Sequence, residues 1–207
     1  MKTIFAVAAT AALFLLGLTF SAIAGSYGGP GFSGTVWFGE SGGKAKQMGS
    51  VHVGSAGFLM NIEGEGQRVS SLIRWDSKLV WSLIHDQNMY MELPPEQSGW
   101  QAYEAKACVG YRNGEMLGSE TVGGRATEKW RCTDQTAVPE GGMPSDATVW
   151  YDPQLQFGVK SVEDNGNIFE IRDIERGAQA ASLFEIPDDY QKLDMSAMMQ
   201  QLMQQQQ

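Results

Sequence analysis

This 207-residue chain has few of the side chains on which most catalytic and metal sites are built, with two histidines and two cysteines in all. His52 and His85 fall on separate expected elements, one in a strand and one at a turn. Neither has a carboxylate or thiolate partner at ligand spacing, so each is read as an ordinary surface or edge histidine. There is no C-x-x-C, no G-x-S-x-G elbow, no H-E-x-x-H and no acidic calcium loop. Gly42-Gly43-Lys44 lacks the hydroxyl residue and the spacing of a phosphate-binding loop. With no constellation for nucleophilic, metal or acid–base chemistry, the chain reads as non-catalytic, with no cofactor and no metal.

Positive charge is also scarce. Lys and Arg number 15 against 24 Asp and Glu, a formal net charge of −9. A phosphate backbone is held by basic clusters, and none is present, so nucleic acid is excluded as a partner, as is a strongly anionic membrane surface. The excess of carboxylates fits a solvated surface.

One long hydrophobic run is present, and it stands at the beginning. Lys2 supplies a short positive region, Ile4 to Phe20 is apolar and alanine-rich, and Ala22-Ile23-Ala24 has small residues where a signal peptidase needs them. Residues 1–24 are therefore expected to be a cleaved secretory signal. No cysteine follows the small-residue site, so the expectation is a periplasmic or secreted protein without a lipid anchor. Lys2 leaves with the signal, and 14 basic residues against 24 acidic ones give −10 for the rest. In an oxidising compartment Cys108 and Cys132 are expected to form a structural disulfide, worth roughly 3 kcal/mol in the chain-entropy account.

Residues 25–31 are glycine-rich and read as a flexible lead-in. From Phe32 to Leu93 turn signals punctuate about six short runs of alternating character, an antiparallel meander. In "KLVWSLIHDQNMYMELP", Leu79 to Ile84 is apolar at every position but one, as if both faces of the strand were covered. Pro94-Pro95 ends the meander, and Glu96 to Ala107 changes to helical spacing, with Trp100 and Tyr103 on one side. Strand rhythm then returns. Gly123-Gly124-Arg125 is expected to turn one hairpin, and Asp164-Asn165-Gly166-Asn167 another, through a type I′ turn at Asn-Gly. Leu183 to Pro187 reads as a short apolar plug. Residues 195–207, rich in Met and Gln, read as a frayed tail, with a helix docking on an apolar groove as the other reading.

The stretches "RWDSKLVWSLIHDQNMYMELP", "LGSETVGGRATEKWRC", "VWYDPQLQFGVKSVEDNGNIFEIRDIERG" and "SLFEIPDDYQKLDM" resemble successive segments of an exported bacterial family of unknown function. That family is similar in turn to the LolA/LolB/LppX-like lipoprotein carriers. The "WYDP" strand start, the "LFEIP" plug and the "YQKL" ending carry the likeness, which covers most of residues 32–195. It implies a mainly β (α+β) fold: residues 32–194 as one domain, a large curled antiparallel sheet forming an open half-barrel, covered on its concave face by one or a few short helices.

Such a fold would hold an apolar cavity. Its expected lining is Trp37, Phe58, Met60, Ile62, Trp81, Leu83, Met89 and Met91, residue types that suit an acyl chain, a lipid or a lipoprotein segment and that serve a packed core equally well. The other class of function is an envelope interaction or structural protein with no small ligand, its partner recruited by the Met/Gln tail or by a sheet edge. Sequence leaves the oligomeric state open.

Overall fold

The computed structural model describes residues 27–40, 43–64, 66–77, 79–93, 106–136 and 145–193. The expected signal segment, most of the expected helix at 96–107 and the Met/Gln tail lie outside them. Lys106 to Gly110, at the end of that expected helix, form a bend and turn. Among the described residues, helical structure is confined to two 3₁₀ turns, His85–Gln87 and Ala181–Phe184, and no helix is long and apolar enough to cross a membrane.

Everything else is strand: β1 (Phe32–Glu40), β2 (Lys46–Val53), β3 (Gly57–Gly64), β4 (Gln67–Arg74), β5 (Leu79–Ile84), β6 (Met89–Leu93), β7 (Tyr111–Val122), β8 (Arg125–Gln135), β9 (Ala147–Asp152), β10 (Phe157–Glu163), β11 (Asn167–Arg176) and β12 (Gln191–Lys192). They form one twelve-stranded sheet in the order β12-β6-β5-β4-β3-β2-β1-β11-β10-β9-β8-β7. Neighbours are antiparallel except β12, which lies parallel to β6. Two meanders are joined where β11 returns to pair with β1 from Phe32↔Arg176 to Glu40↔Asn167. With β12 and β7 at opposite ends of the order, the sheet is not closed.

A sheet of this width curls, and the aromatic side chains show by how much. Phe58 on β3 and Phe157 on β10 are four strand spacings apart, about 19 Å across a flat sheet, yet their rings stack with centroids 6.3 Å apart. Phe32 on β1 meets the same Phe157 ring edge-on at 5.4 Å. The face carrying these rings is therefore concave, and its cluster extends from Val80 on β5 to Val159 on β10. Tyr27 belongs to it. Although its stretch reads as a flexible lead-in, the Tyr27 ring is buried and its hydroxyl stands 2.6 Å from the carbonyl oxygen of Leu155.

The turns follow local chemistry, with one exchange of roles. Gly123 and Gly124 join β7 to β8 with φ of +55° and +77°, and positive φ at both central residues is the type I′ signature. The turn at Asn165-Gly166 is not type I′. Only Gly166 has positive φ there, at +97°, and its N–H donates to the carbonyl of Glu163 at 2.9 Å. A three-residue loop of a type I turn plus a left-handed glycine results. At the "WYDP" start, the Asp152 carboxylate accepts the N–H groups of Gln154 and Leu155 at 2.8 and 3.1 Å, bending the chain from β9 into β10.

Cys108 and Cys132 are bonded, with Cα atoms 5.4 Å apart, tying the turn before β7 to the middle of β8. A loop spanning 24 residues gives about 3.5 kcal/mol of chain-entropy stabilisation. Urea unfolding with and without reductant is expected to show a loss of that order. Two reactive thiols in the unreduced protein would refute the bridge.

Candidate functional site

Directly opposed residues of an antiparallel ladder share a face, so register alone sorts the side chains. Three transverse rows cross the concave face from β1 to β6. The lower row is Phe32, Val53, Phe58, Ile73, Val80 and Leu93; the upper row is Val36, Gly49, Ile62, Val69, Ile84 and Met89. Between them run Gly34, Val51, Met60, Ser71, Ser82 and Met91. Of these eighteen positions, two carry a polar side chain, and they stand side by side.

The same register divides the eight residues named from sequence. Phe58, Met60, Ile62, Met89 and Met91 lie on the concave rows. Trp81 and Leu83 lie on the reverse face, in rows with Leu72 and Ser70. Trp37 is there as well, its indole covered by the Arg172 guanidinium at 4.2 Å and its Nε1 donating to Thr35 Oγ1 at 2.9 Å.

A groove of about 650 Å³ opens where β10 and β11 part. Their ladder covers only Lys160↔Glu170 to Val162↔Ile168, and beyond it β10 shifts register. Val122, Val159, Ile171 and Ile174 supply apolar lining; Arg125, Glu170, Arg172, Asp173 and Glu175 supply charge. Val159 and Ile171 also belong to the concave cluster, so the groove continues that surface. None of the eight sequence candidates lines it. Arg125 is fixed there by the buried Asp152 carboxylate, with Nε to Oδ2 at 2.5 Å.

The reverse face is closed by the chain's own return. After β11, residues 177–193 cross from β1 to β6 as a strap. Its centre is Phe184, 1% exposed, which packs with Leu72, Trp81 and Leu83. The strap needs glycine beneath it, because a Cβ on Gly57 would stand 2.9 Å from the Phe184 ring and 2.3 Å from the Ile73 carbonyl oxygen. This cover is why β5 is apolar on both faces: Val80 faces the concave cluster while Trp81 and Leu83 face the strap.

Both histidines hold the strap, a role their sequence context does not disclose. His52 Nδ1 is 2.9 Å from Gln179 Oε1, and His85 Nδ1 is 2.6 Å from the Tyr190 hydroxyl. His85 Nε2 lies 2.5 Å from Ser70 Oγ, which lies 2.6 Å from Asn61 Oδ1, and Asn61 Nδ2 donates to Ser50 Oγ at 3.1 Å. One arrangement of protons satisfies every member. A carbonyl oxygen only accepts, so the Ser70 proton goes to Asn61; Nε2–H then donates to Ser70, and the Tyr190 hydroxyl donates to Nδ1. Ser70 and His85 are thus a serine–histidine pair without nucleophilic use, since the hydroxyl is buried and its proton is committed to Asn61. Strap residues Gln191 and Leu193 donate backbone N–H groups to Asn88 and Tyr90 at 2.8 Å each, and Lys192 reaches Glu92 at 2.7 Å. No group of three or more His, Cys, Asp or Glu among the described residues is placed to hold a metal ion.

No protein-family model matches the chain, and no curated protein does. Solved structures do. PNGF-II is similar at 11% identity with a TM-score of 0.52, over 83% of this chain and 32% of that one. An uncharacterized conserved protein from Thermus thermophilus is similar at 12% identity and a TM-score of 0.51, over 90% of this chain and 98% of the other. The chain thus spans about a third of the length of PNGF-II and nearly all of the Thermus protein. At these identities the likeness shows the fold alone, the wide open antiparallel sheet. LolA superfamily proteins are among the structures it resembles, one from Nitrosomonas europaea at 10% identity and a TM-score of 0.34, over 79% and 92% of the two chains.

Burial, followed by the charge of Arg68, pushes the His85 imidazole below its ordinary value, with Asp86 opposing. The unfolded chain therefore takes up the proton first as pH falls below about 6.5, and the folded state loses stability from there until His85 itself titrates. Thermal unfolding followed from neutral pH downward is expected to show this decline, flattened in His85→Asn. Phe184→Ala is expected to cost about 3–5 kcal/mol, read by urea unfolding, and to open residues 177–193 to proteolysis.

Proposed function

We propose that this is an exported cell-envelope protein, freed of residues 1–24, that binds a hydrophobic ligand non-catalytically on the concave face of its sheet: an acyl chain, a lipid or a lipoprotein segment. In this reading the sheet is the open half-barrel of the lipoprotein-carrier type, with short helices as its cover. The observation that carries it is the set of three rows from β1 to β6, apolar but for two serines, and continuous through Val159 and Ile171 with the groove where β10 and β11 part. Each methylene transferred from water to such a surface gains about 0.8 kcal/mol, so a chain can be held with little polar chemistry. Methionines at Met60, Met89 and Met91 let the surface adapt to its guest. Of the eight residues named from sequence, Phe58, Met60, Ile62, Met89 and Met91 keep a part in the proposed site; Trp37, Trp81 and Leu83 support it from behind.

The competing class, a partner recruited at a sheet edge, has β7 in its favour, where Met116 and Leu117 are 48% and 53% exposed. The register of β7 against β8 shifts between Met116 and Gly118, which interrupts the strand where an added partner would pair. The concave-face reading therefore takes precedence.

Native mass spectrometry of gently purified exported protein is expected to find a co-purifying lipid. Met89→Glu, which puts a carboxylate on the half-buried end of the upper row, is expected to release it, while Trp37→Ala on the reverse face retains it. Wild-type protein that arrives empty and takes up no apolar fluorophore would overturn the proposal.

A further inference from the structure

Ser82 is 6% exposed, and among the described residues it carries the one buried side-chain oxygen with no hydrogen-bond partner. Its position makes this unusual. It stands mid-row on the concave face, opposite Ser71 on β4 and Met91 on β6, with the apolar rows of Val80 and Ile84 on either side. Ser71 is its cross-strand neighbour yet forms no hydrogen bond with it. A buried hydroxyl without a partner costs about 1–3 kcal/mol, and an alanine of nearly the same size would avoid that cost. A strand that keeps the hydroxyl in this setting is short of an acceptor that the described residues do not supply.

The geometry points to Ser82 as a polar anchor for the ligand, donating its hydroxyl proton to a carbonyl oxygen borne by an otherwise apolar chain. This deepens the carrier reading and rests on it. The chemistry selects within the hydrophobic class: an acyl ester offers the acceptor that Ser82 lacks, whereas a plain hydrocarbon leaves the hydroxyl as it is. The neighbours suit such a guest. Met60 and Met91, the nearest large side chains along the row, are unbranched and can shift to admit a chain beside the hydroxyl. Neither the groove at β10 and β11 nor the hydrogen-bonded chain from Tyr190 to Ser50 offers the same signal: Arg125, Glu170, Arg172 and Asp173 in the one, and His85 and Ser70 in the other, already have partners, and Glu175 is exposed to water.

The test is displacement of the fluorophore N-phenylnaphthylamine from the full exported protein by methyl laurate and by an n-alkane of equal chain length. One hydrogen bond of ordinary strength raises the ester-to-alkane affinity ratio about tenfold over its value without the hydroxyl, whatever the ester carbonyl loses on leaving water. The ratio is expected to fall by that factor in Ser82→Ala with the alkane affinity unchanged, and to hold in Ser82→Thr, which keeps a hydroxyl. The melting temperature of Ser82→Ala without ligand is expected to equal or exceed that of wild type, since an unpaired polar group has gone. An ester-to-alkane ratio that is the same in wild type and Ser82→Ala while both competitors displace the probe overturns the anchor and leaves the carrier reading standing. A protein that binds neither probe nor competitor overturns the carrier reading and the anchor with it.

Discussion

The docking of Phe184 against the reverse face, between the rows of Leu72 and Leu83, is the contact on which the rest of the molecule depends. Twelve strands in an open order have no ring of hydrogen bonds to hold their curvature; the two meanders share one ladder, β1 with β11, and the concave packing of Phe32 and Phe58 on Phe157. The strap adds a second tie. It leaves β11, crosses behind β1 to β5, and ends as a strand beside β6, so the two halves are held by side-chain packing as well as by a ladder. With the strap covering the reverse face, the other apolar surface of the sheet is the concave cluster, whose rows are largely buried as the main core, and the proposed function starts from that face.

Polar contacts fix the strap in position, and apolar ones hold it down. His52 sits under its start and His85 under its end, each hydrogen-bonded to a strap side chain, while Lys192 and Glu92 add an exposed ion pair of the kind that contributes little by itself. The chain of hydrogen bonds from Tyr190 through His85 and Ser70 to Asn61 and Ser50 crosses three strands with each member bonded to the next. In a low-dielectric setting such a network specifies one arrangement sharply, because breaking any link strands a polar group. The concave face has the opposite character: one hydroxyl stands unanswered among apolar rows. A polar group satisfied within the chain belongs to the scaffold; one left unsatisfied where a guest would lie points outward to the guest.

Much of the fold was legible in sequence. Period-two alternation and turn residues placed about six strands between Phe32 and Leu93, where six stand, and Leu79 to Ile84 announced two covered faces. The cysteine pair and the apolar plug around Phe184 were also legible. The sides of the sheet were not. Alternation says that Trp81 and Val80 point opposite ways; which of them points into the curl depends on the strap returning from about a hundred residues further on, and no local pattern carries that. The groove at β10 and β11 was hidden for a similar reason, since it arises from a ladder that stops short. Asn165-Gly166 shows a subtler limit: the dipeptide marks a turn, but loop length decided its type, and the type I′ geometry went to Gly123-Gly124. His52 and His85 looked isolated because their partners, Gln179 and Tyr190, lie more than a hundred positions away.

The shifted register in β7 has a consequence of its own. An open sheet of this width ends in a long strand whose outer backbone is a template for any passing extended chain, and two exposed apolar side chains make it an attractive one. Between Met116 and Gly118 the spacing of donors and acceptors falls out of step, so a newcomer that begins to zip along one half meets the wrong phase in the other. The border strand therefore offers such a chain two short runs of matched phase instead of its full length.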